Sequence, residues 1–366
     1  MGFACGIVGL PNVGKSTLFN ALTATQAAQA ANYPFTTIEP NVGKVSVPDV
    51  RLDKLAELCK SAKVVPTQLA FVDIAGLVKG ASQGEGLGNQ FLGHIREVDA
   101  VLHLVRCFED GNVVHVAGRV DPVADSETIE TELMLADLES LERRKGPLEK
   151  TARGGDKEAK ATLPVLEKLL AALKAGTPAG RVAVTPEEAP IVRSLGLLTA
   201  KPVLYVCNVS EAEAANGNAY TKRMEEKAKA EGRGCVVISA ALEAEVAQLS
   251  DPAERAEYLS SLGLQETGLS RVIRAGYALL GLITFLTAGP KESRAWTIAK
   301  GTKAPGAAGQ IHSDLERGFI RADVIAYDDY VKAGGEAQAR AAGKMRSEGK
   351  EYVVQDGDVI VVKFAV

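Results

Sequence analysis

The chain has 366 residues, more than one ordinary hydrophobic core supports, so two or three domains are expected. Its 46% hydrophobic and 24% charged residues fit a soluble globular protein rather than a disordered or membrane-embedded one. The net charge of −4 excludes a wholesale coating of nucleic acid and leaves polyanion contact to local basic faces.

At the start, Met1–Gly6 has no basic segment followed by an apolar stretch, so no signal peptide is read. Gly2 invites myristoylation, but Gly6 stands where that pattern wants Ser or Thr. No apolar run is long enough to span a bilayer, and the expectation is a cytoplasmic protein with no membrane partner. Phe3–Gly9 reads as a buried strand and Ser16–Ala24 as the start of a helix. Between them, Gly9-Leu10-Pro11-Asn12-Val13-Gly14-Lys15-Ser16-Thr17 matches G-x-x-x-x-G-K-[ST] in the required strand–loop–helix setting. The glycines let successive N–H groups converge on phosphate oxygens, and the helix N-terminus adds positive potential. Lys15 is expected on the β- and γ-phosphates and Ser16 on Mg2+.

Tyr33-Pro34-Phe35-Thr36-Thr37 follows the helix, and a threonine there can close over Mg2+. Leu69–Asp73 reads as a strand ending in Asp73-Ile74-Ala75-Gly76. Asp73 can hold the Mg2+ shell through water, and the Gly76 N–H can sense the γ-phosphate. The next residue is Leu77, where Ras-like enzymes carry a water-orienting glutamine. Either hydrolysis is slow or another group orients the water. By chemistry the candidates are His94, His103, His115 and His312, and spacing does not choose among them. The glycine-rich stretch 79–88 has the composition of a switch segment.

Ala100–Arg106, Pro202–Asn208 and Cys235–Ser239 are further apolar strand signals. Strands alternating with helices imply an α/β, mostly parallel, doubly wound sheet whose ligand lies beyond the strand carboxyl ends. Asp73, Asn208 and Ser239 are polar tips suited to one shared site. Between 127 and 200, apolar residues at helical spacing in Glu127–Arg144 and Leu163–Leu173, broken near Gly146-Pro147, predict an inserted helical hairpin with a basic face. Asn208-Val209-Ser210-Glu211 stands where guanine readers carry N-K-x-D. Val209 lacks the lysine stem and Glu211 is one methylene too long, so specificity is relaxed or turned toward ATP. Ser239-Ala240-Ala241 supplies the backbone edge of the base pocket. From about 280, Lys291–Ile298 and Tyr352–Val366, with a turn at Gln355–Gly357, read as strands of a small α+β module. Five scattered cysteines form no C-x-x-C pair and suggest neither a zinc nor a redox site.

Together these residues resemble the YchF / Obg-like ATPase family over essentially the whole chain. The likeness rests on residues 9–17 (GLPNVGKST), 32–43 (NYPFTTIEPNVG), 73–92 (DIAGLVKGASQGEGLGNQFL) and 208–211 (NVSE). It continues at 291–298 (KESRAWTI) and 309–324 (GQIHSDLERGFIRADV). The resemblance implies an Obg-type P-loop domain over 1–126 and 200–280, the helical (coiled-coil) arm over 127–199 and a β-grasp-like TGS domain over 281–366. It implies an ATP-preferring hydrolase, with GTP weaker, that associates with the ribosome. The nucleotide site would be Asn12, Val13, Gly14, Lys15, Ser16, Thr17, Gly76, Asn208, Val209, Glu211, Ser239 and Ala240. Mg2+ falls to Ser16 and Thr37, with Asp73 acting through water, and K+ to Asn12. The catalytic histidine falls on His115, beside Lys15. RNA would enter a cleft between arm and TGS domain, and the protein would be a monomer. A GTPase acting in ribosome function and a nucleotide-bound, non-catalytic adaptor remain as alternatives.

Overall fold

The computed structural model describes residues 3–30, 42–74, 87–111, 113, 115, 118–249 and 251–365. From the N-terminus the elements are β1 (Ala4–Val8), α1 (Lys15–Ala30), β2 (Val42–Ser46), α2 (Val50–Cys59), β3 (Val64–Val65) and β4 (Gln68–Asp73). Then come α3 (Leu87–Glu97), β5 (Ala100–Arg106), α4 (Pro122–Arg153), α5 (Lys157–Lys174), α6 (Glu188–Leu195) and β6 (Val203–Asn208). They are followed by α7 (Ala219–Ala230), β7 (Gly234–Ile238), α8 (Ala240–Val246), α9 (Pro252–Ser261) and α10 (Gly268–Leu279). The last stretch holds β8 (Leu282–Thr287), β9 (Ser293–Ala299), α11 (Ala304–Ile311), α12 (Ser313–Arg317) and β10 (Phe319–Ala326). It closes with α13 (Tyr327–Ala333), α14 (Glu336–Ala341), β11 (Arg346–Glu348) and β12 (Asp358–Phe364). Two compact units result, one of Met1–Gly43 with Ala70–Val272 and one of Lys44–Leu69 with Ile273–Val366.

In the first unit the sheet core runs β4-β1-β5-β6-β7, and every one of these pairings is parallel. All residues of β5 are buried, which is why its sequence shows no in–out alternation. The register pairs Ile7 with Asp73, Arg106 with Asn208 and Asn208 with Ile238. The carboxyl ends therefore align, and the loops that follow them gather along one edge of the sheet.

The helical hairpin is present, but its turn is not at Gly146-Pro147. Helix α4 runs through Pro147 to Arg153. A proline there removes one backbone donor on an exposed stretch, and the helix continues past it. The break comes at Gly154-Gly155, where Gly155 has φ +98°, a value costly for any side chain. Asp156 then caps α5 by accepting from the Ala159 N–H at 2.7 Å. Leu141, Val165, Leu166, Leu169, Leu170 and Leu173 bury the seam between the two helices.

In the second unit the sheet order is β11-β10-β12-β8-β9-β3. Adjacent residues point to opposite faces. Phe285, Val324 and Ile360 meet Ala304, Ala307 and Ala308 of α11. Their neighbours Leu286, Ile325 and Val359 meet Leu52 and Leu55 of α2 together with Tyr330 and Ala339. Strand β3 also extends this sheet, pairing Val64 with Ser293. Residues 44–69 thus belong to the C-terminal unit, unlike the expected division in which that unit began at 281. The reason is burial: α2 covers a sheet face that would otherwise lie open. Among the described residues no helix is long and apolar enough to cross a membrane.

Candidate nucleotide site

The loop after β1 turns on backbone conformations that few residues accept. Asn12 has φ 64° and Gly14 φ 92°. A Cβ on Gly14 would stand 2.3 Å from Asn208 Nδ2, and one on Gly9 2.7 Å from the Leu104 carbonyl oxygen. Both positions therefore exclude any side chain. The first hydrogen bond of α1 runs from the Leu18 N–H to Gly14 O at 3.0 Å. The N–H groups of Lys15, Ser16 and Thr17 have no partner further back in the helix, an arrangement that can hold an anion.

Lys15 Nζ lies 3.0 Å from Asp73 Oδ1, across the β1–β4 pair. Ser16 and Thr17 are exposed in the first turn of α1. Asn208 sits at the tip of β6 and is 4% exposed. Its Nδ2 donates to Val13 O at 2.9 Å, and its Oδ1 accepts from the Ala240 N–H at 2.8 Å. One amide thereby ties the phosphate loop to the start of α8.

Above this lies an open cavity of about 1220 Å³. One side is Leu10, Pro11, Asn12, Gly14, Lys15, Ser16 and Thr17. The other side is Asn208, Val209, Ser210, Glu211, Ala212, Ala240 and Ala241. The loop after β5 closes it with Phe108, Glu109, Asp110, Gly111 and Val113. The cavity is roomy enough to admit a nucleotide.

Curated relatives match the chain from end to end. The ribosome-binding ATPase YchF of Haemophilus influenzae is 56% identical over 366 residues, covering 100% of both chains. Its namesake in Bacillus subtilis is 55% identical over 368 residues, again covering 100% of both. The chain belongs to the YchF family. Residues 4–142 match the family described as 50S ribosome-binding GTPase, and residues 282–365 match the YchF GTPase C-terminal family, described as a protein of unknown function. The solved YchF GTPase of Schizosaccharomyces pombe superposes with a TM-score of 0.90 at 40% identity, covering 99% of this chain and 98% of that one. The α/β P-loop fold with its C-terminal module is that of the YchF family.

Most expected site residues of this YchF family member converge. Asn12, Gly14, Lys15, Ser16, Thr17, Asn208, Val209, Glu211 and Ala240 line the cavity, and Val13 contributes its carbonyl to Asn208. Ser239 does not line it. This residue is 1% exposed, and its hydroxyl caps α8 by accepting from the Leu242 N–H at 3.4 Å. Thr37 and Gly76 lie outside the described residues, as does Leu77. The oxygen donors of Ser16 and Asp73 suit a hard cation such as Mg2+. Among the described residues no cluster of His, Cys, Asp or Glu forms a metal site of its own.

The histidines separate by environment. Burial, with the nearby Arg233 and Lys227 charges, lowers the His103 pKa to about 3, so the ring is neutral beside Tyr205. His94 is exposed on α3, and His312 caps α12 through Nδ1. His115 is buried, with Nε2 2.9 Å from Asp125 Oδ2 of α4, and does not itself line the cavity. Burial raises the Asp125 pKa despite the hydrogen bond from His115. Sequence reasoning missed Asp125, Phe108 and Arg106. Only Arg106 left a signal, as a charged tip on an apolar strand.

Proposed function

We propose that this chain is an ATP-preferring, Mg2+-dependent nucleoside triphosphatase that acts as a switch on the ribosome in the cytoplasm. The relatives' names divide on the base: the curated bacterial proteins are called ATPases and the fission-yeast structure a GTPase. One observation carries the choice for this chain. Asn208 is spent on Val13 and Ala240, while the second and fourth positions of a guanine-reading motif are unsuited to guanine. Val209 is 3% exposed and packs with Cys207 and Met224. Glu211 stands exposed on a single turn of 3-10 helix, Glu211–Glu213. Neither supplies the buried aspartate that pairs with guanine N1–H and N2–H, and a site lacking that acceptor gains nothing from guanine. Titration of ATP, GTP and their diphosphates tests this. A hundredfold preference for GTP would sink the reading in favour of the GTPase alternative.

In this reading the phosphates rest on the N–H groups of residues 13–17, and Lys15 moves from Asp73 to the β- and γ-phosphates. Ser16 and Thr37, with Asp73 through water, would hold Mg2+, which supplies charge neutralisation on the phosphate oxygens. Asn12 would stand against K+, and the Gly76 N–H would report the γ-phosphate. His115 is our water-orienting group, with Asp125 fixing its ring. The ring is covered as it stands, so a shift of the loop after β5 on nucleotide binding is part of the reading. His115→Ala should lower turnover about 100-fold while leaving nucleotide affinity nearly intact. Unchanged turnover removes His115 from the mechanism.

Ribosome association draws support from the arm. Nearer the root its bases are neutralised, as in Lys145–Glu167 and Lys174–Glu142. Around the turn, Lys150, Arg153, Lys157 and Lys160 are exposed and make no ion pair among the described residues. Four such cations suit an RNA backbone, and a monomer would present them freely. Cosedimentation with ribosomal subunits should weaken steeply as salt rises, and a salt-independent contact would exclude a phosphate-driven one.

A further inference from the structure

Arg106 heads the largest fully buried side chains, 2% exposed, at the last position of β5. Burying a guanidinium is costly unless its N–H groups find acceptors. This one makes no ion pair among the described residues. Its hydrogen bonds go to three carbonyls of the following loop instead. Nε donates to Phe108 O at 3.0 Å, Nη1 to Val113 O at 2.9 Å and Nη2 to Asp110 O at 3.3 Å. The guanidinium carbon also lies 4.6 Å from the Phe108 ring centroid. An apolar side chain would fill this strand end at lower cost if packing were its only task.

All three residues so held line the cavity, and His115 follows two positions after Val113. We infer that Arg106 is a positioning residue for hydrolysis: its fork ties Phe108, Asp110 and Val113 into one rigid wall and thereby sets where His115 stands. The inference rests on the reading of His115 as the water-orienting group. It goes beyond that reading by naming what holds the loop. The Arg106 charge also reaches Asp125, where burial pushes the carboxyl pKa up and this guanidinium opposes the rise. Arg106 therefore acts on the His115–Asp125 pair through the loop it holds and, more weakly, through its charge. A lysine keeps the charge but, lacking the fork, cannot span three carbonyls.

The experiment compares Arg106→Lys, Arg106→Gln and His115→Ala in the full chain, each shown folded by circular dichroism. ATP turnover is measured across pH, with ADP affinity measured in parallel. Arg106→Lys should lower kcat roughly 10- to 100-fold, because a misplaced group loses its orientation. ADP affinity should change little, since the phosphates are held by the loop after β1. Arg106→Gln should in addition move the acid limb of the kcat profile to higher pH. Without the guanidinium the Asp125 pKa rises further, so the carboxylate protonates at a higher pH. A structural role alone would lower the folded fraction and leave the kcat of the folded protein in place. If Arg106→Lys does not fold, Arg106→Gln judges the proposal by its acid limb and its kcat. Loss of turnover in His115→Ala with wild-type kcat in folded Arg106→Lys overturns the inference alone. Wild-type turnover in His115→Ala overturns the reading of His115 on which the inference rests.

Discussion

Replacing Asn208 with alanine should loosen the phosphate loop and the base edge together. The side chain is 4% exposed and links Val13 O at 2.9 Å with the Ala240 N–H at 2.8 Å. Truncation leaves one carbonyl and one amide without their partner. Each unsatisfied buried group costs about 1–3 kcal/mol, giving an upper range of roughly 2–6 kcal/mol. Both groups border an open cavity, so water can recover part of that loss. The expected net cost is about 2–3 kcal/mol of stability in the nucleotide unit. Nucleotide binding must then order a loop that was ordered beforehand in the wild type. If half the loss reappears in binding, ADP affinity falls roughly tenfold. Urea unfolding and an ADP titration measure the two quantities. Asn208→Asp refines the test: it keeps the acceptor for Ala240 but turns a carboxylate oxygen on Val13 O. It should damage phosphate binding as alanine does. Wild-type unfolding and wild-type ADP affinity in Asn208→Ala would refute the idea that this amide organises the site.

Three other substitutions probe separate parts of the molecule. Lys15→Ala should weaken ATP and ADP binding at least about 100-fold by calorimetry, because a charge-assisted contact to phosphate is lost. It should also cost roughly 1–3 kcal/mol in the free protein, since Asp73 loses the ammonium 3.0 Å away. Leu55→Ala should destabilise the C-terminal unit by about 2–4 kcal/mol, read as faster hydrogen exchange within 282–365 with nucleotide affinity unchanged. Glu231 accepts from Tyr205 and pairs with Lys227, Arg233 and Arg181. Burial raises its pKa, but the Lys227 and Tyr205 hydrogen bonds and the Arg233 charge outweigh that and hold it below the ordinary 4.5. A depressed carboxyl pKa contributes stability above the unfolded value and loses it as pH falls through the folded value. Glu231→Gln should therefore be destabilising at pH 7, with a cost that shrinks as pH falls below the ordinary 4.5 and through the folded value, by thermal unfolding. A cost that does not change with pH would rule out the ionic origin.

Much of the fold was legible because its signals are local. The buried strand Ala100–Arg106 and the parallel core followed from continuous apolar runs. The hairpin was legible too, but its turn was misplaced, since proline is a strong breaker in a list of propensities and a tolerable one on an exposed helix. Ser239 was read as part of the site because it ends a strand, yet its hydroxyl is used to cap α8. The assignment of 44–69 was not legible, because amphipathic helices do not announce which sheet they cover.

The sequence by itself determined the backbone of the loop after β1. Asn12 and Gly14 answer to backbone angles within one strand–loop–helix unit, and such requirements are met by near neighbours in the chain. Val209 and Glu211 likewise bore on the base as soon as they were read. Only the tertiary structure decided that Asn208 grips Val13, that His115 rests on Asp125 and that Arg106 holds the loop between them. Those partners are chosen by strand register and by the burial of charge. Both depend on residues far apart in the sequence that come together only when the sheet forms.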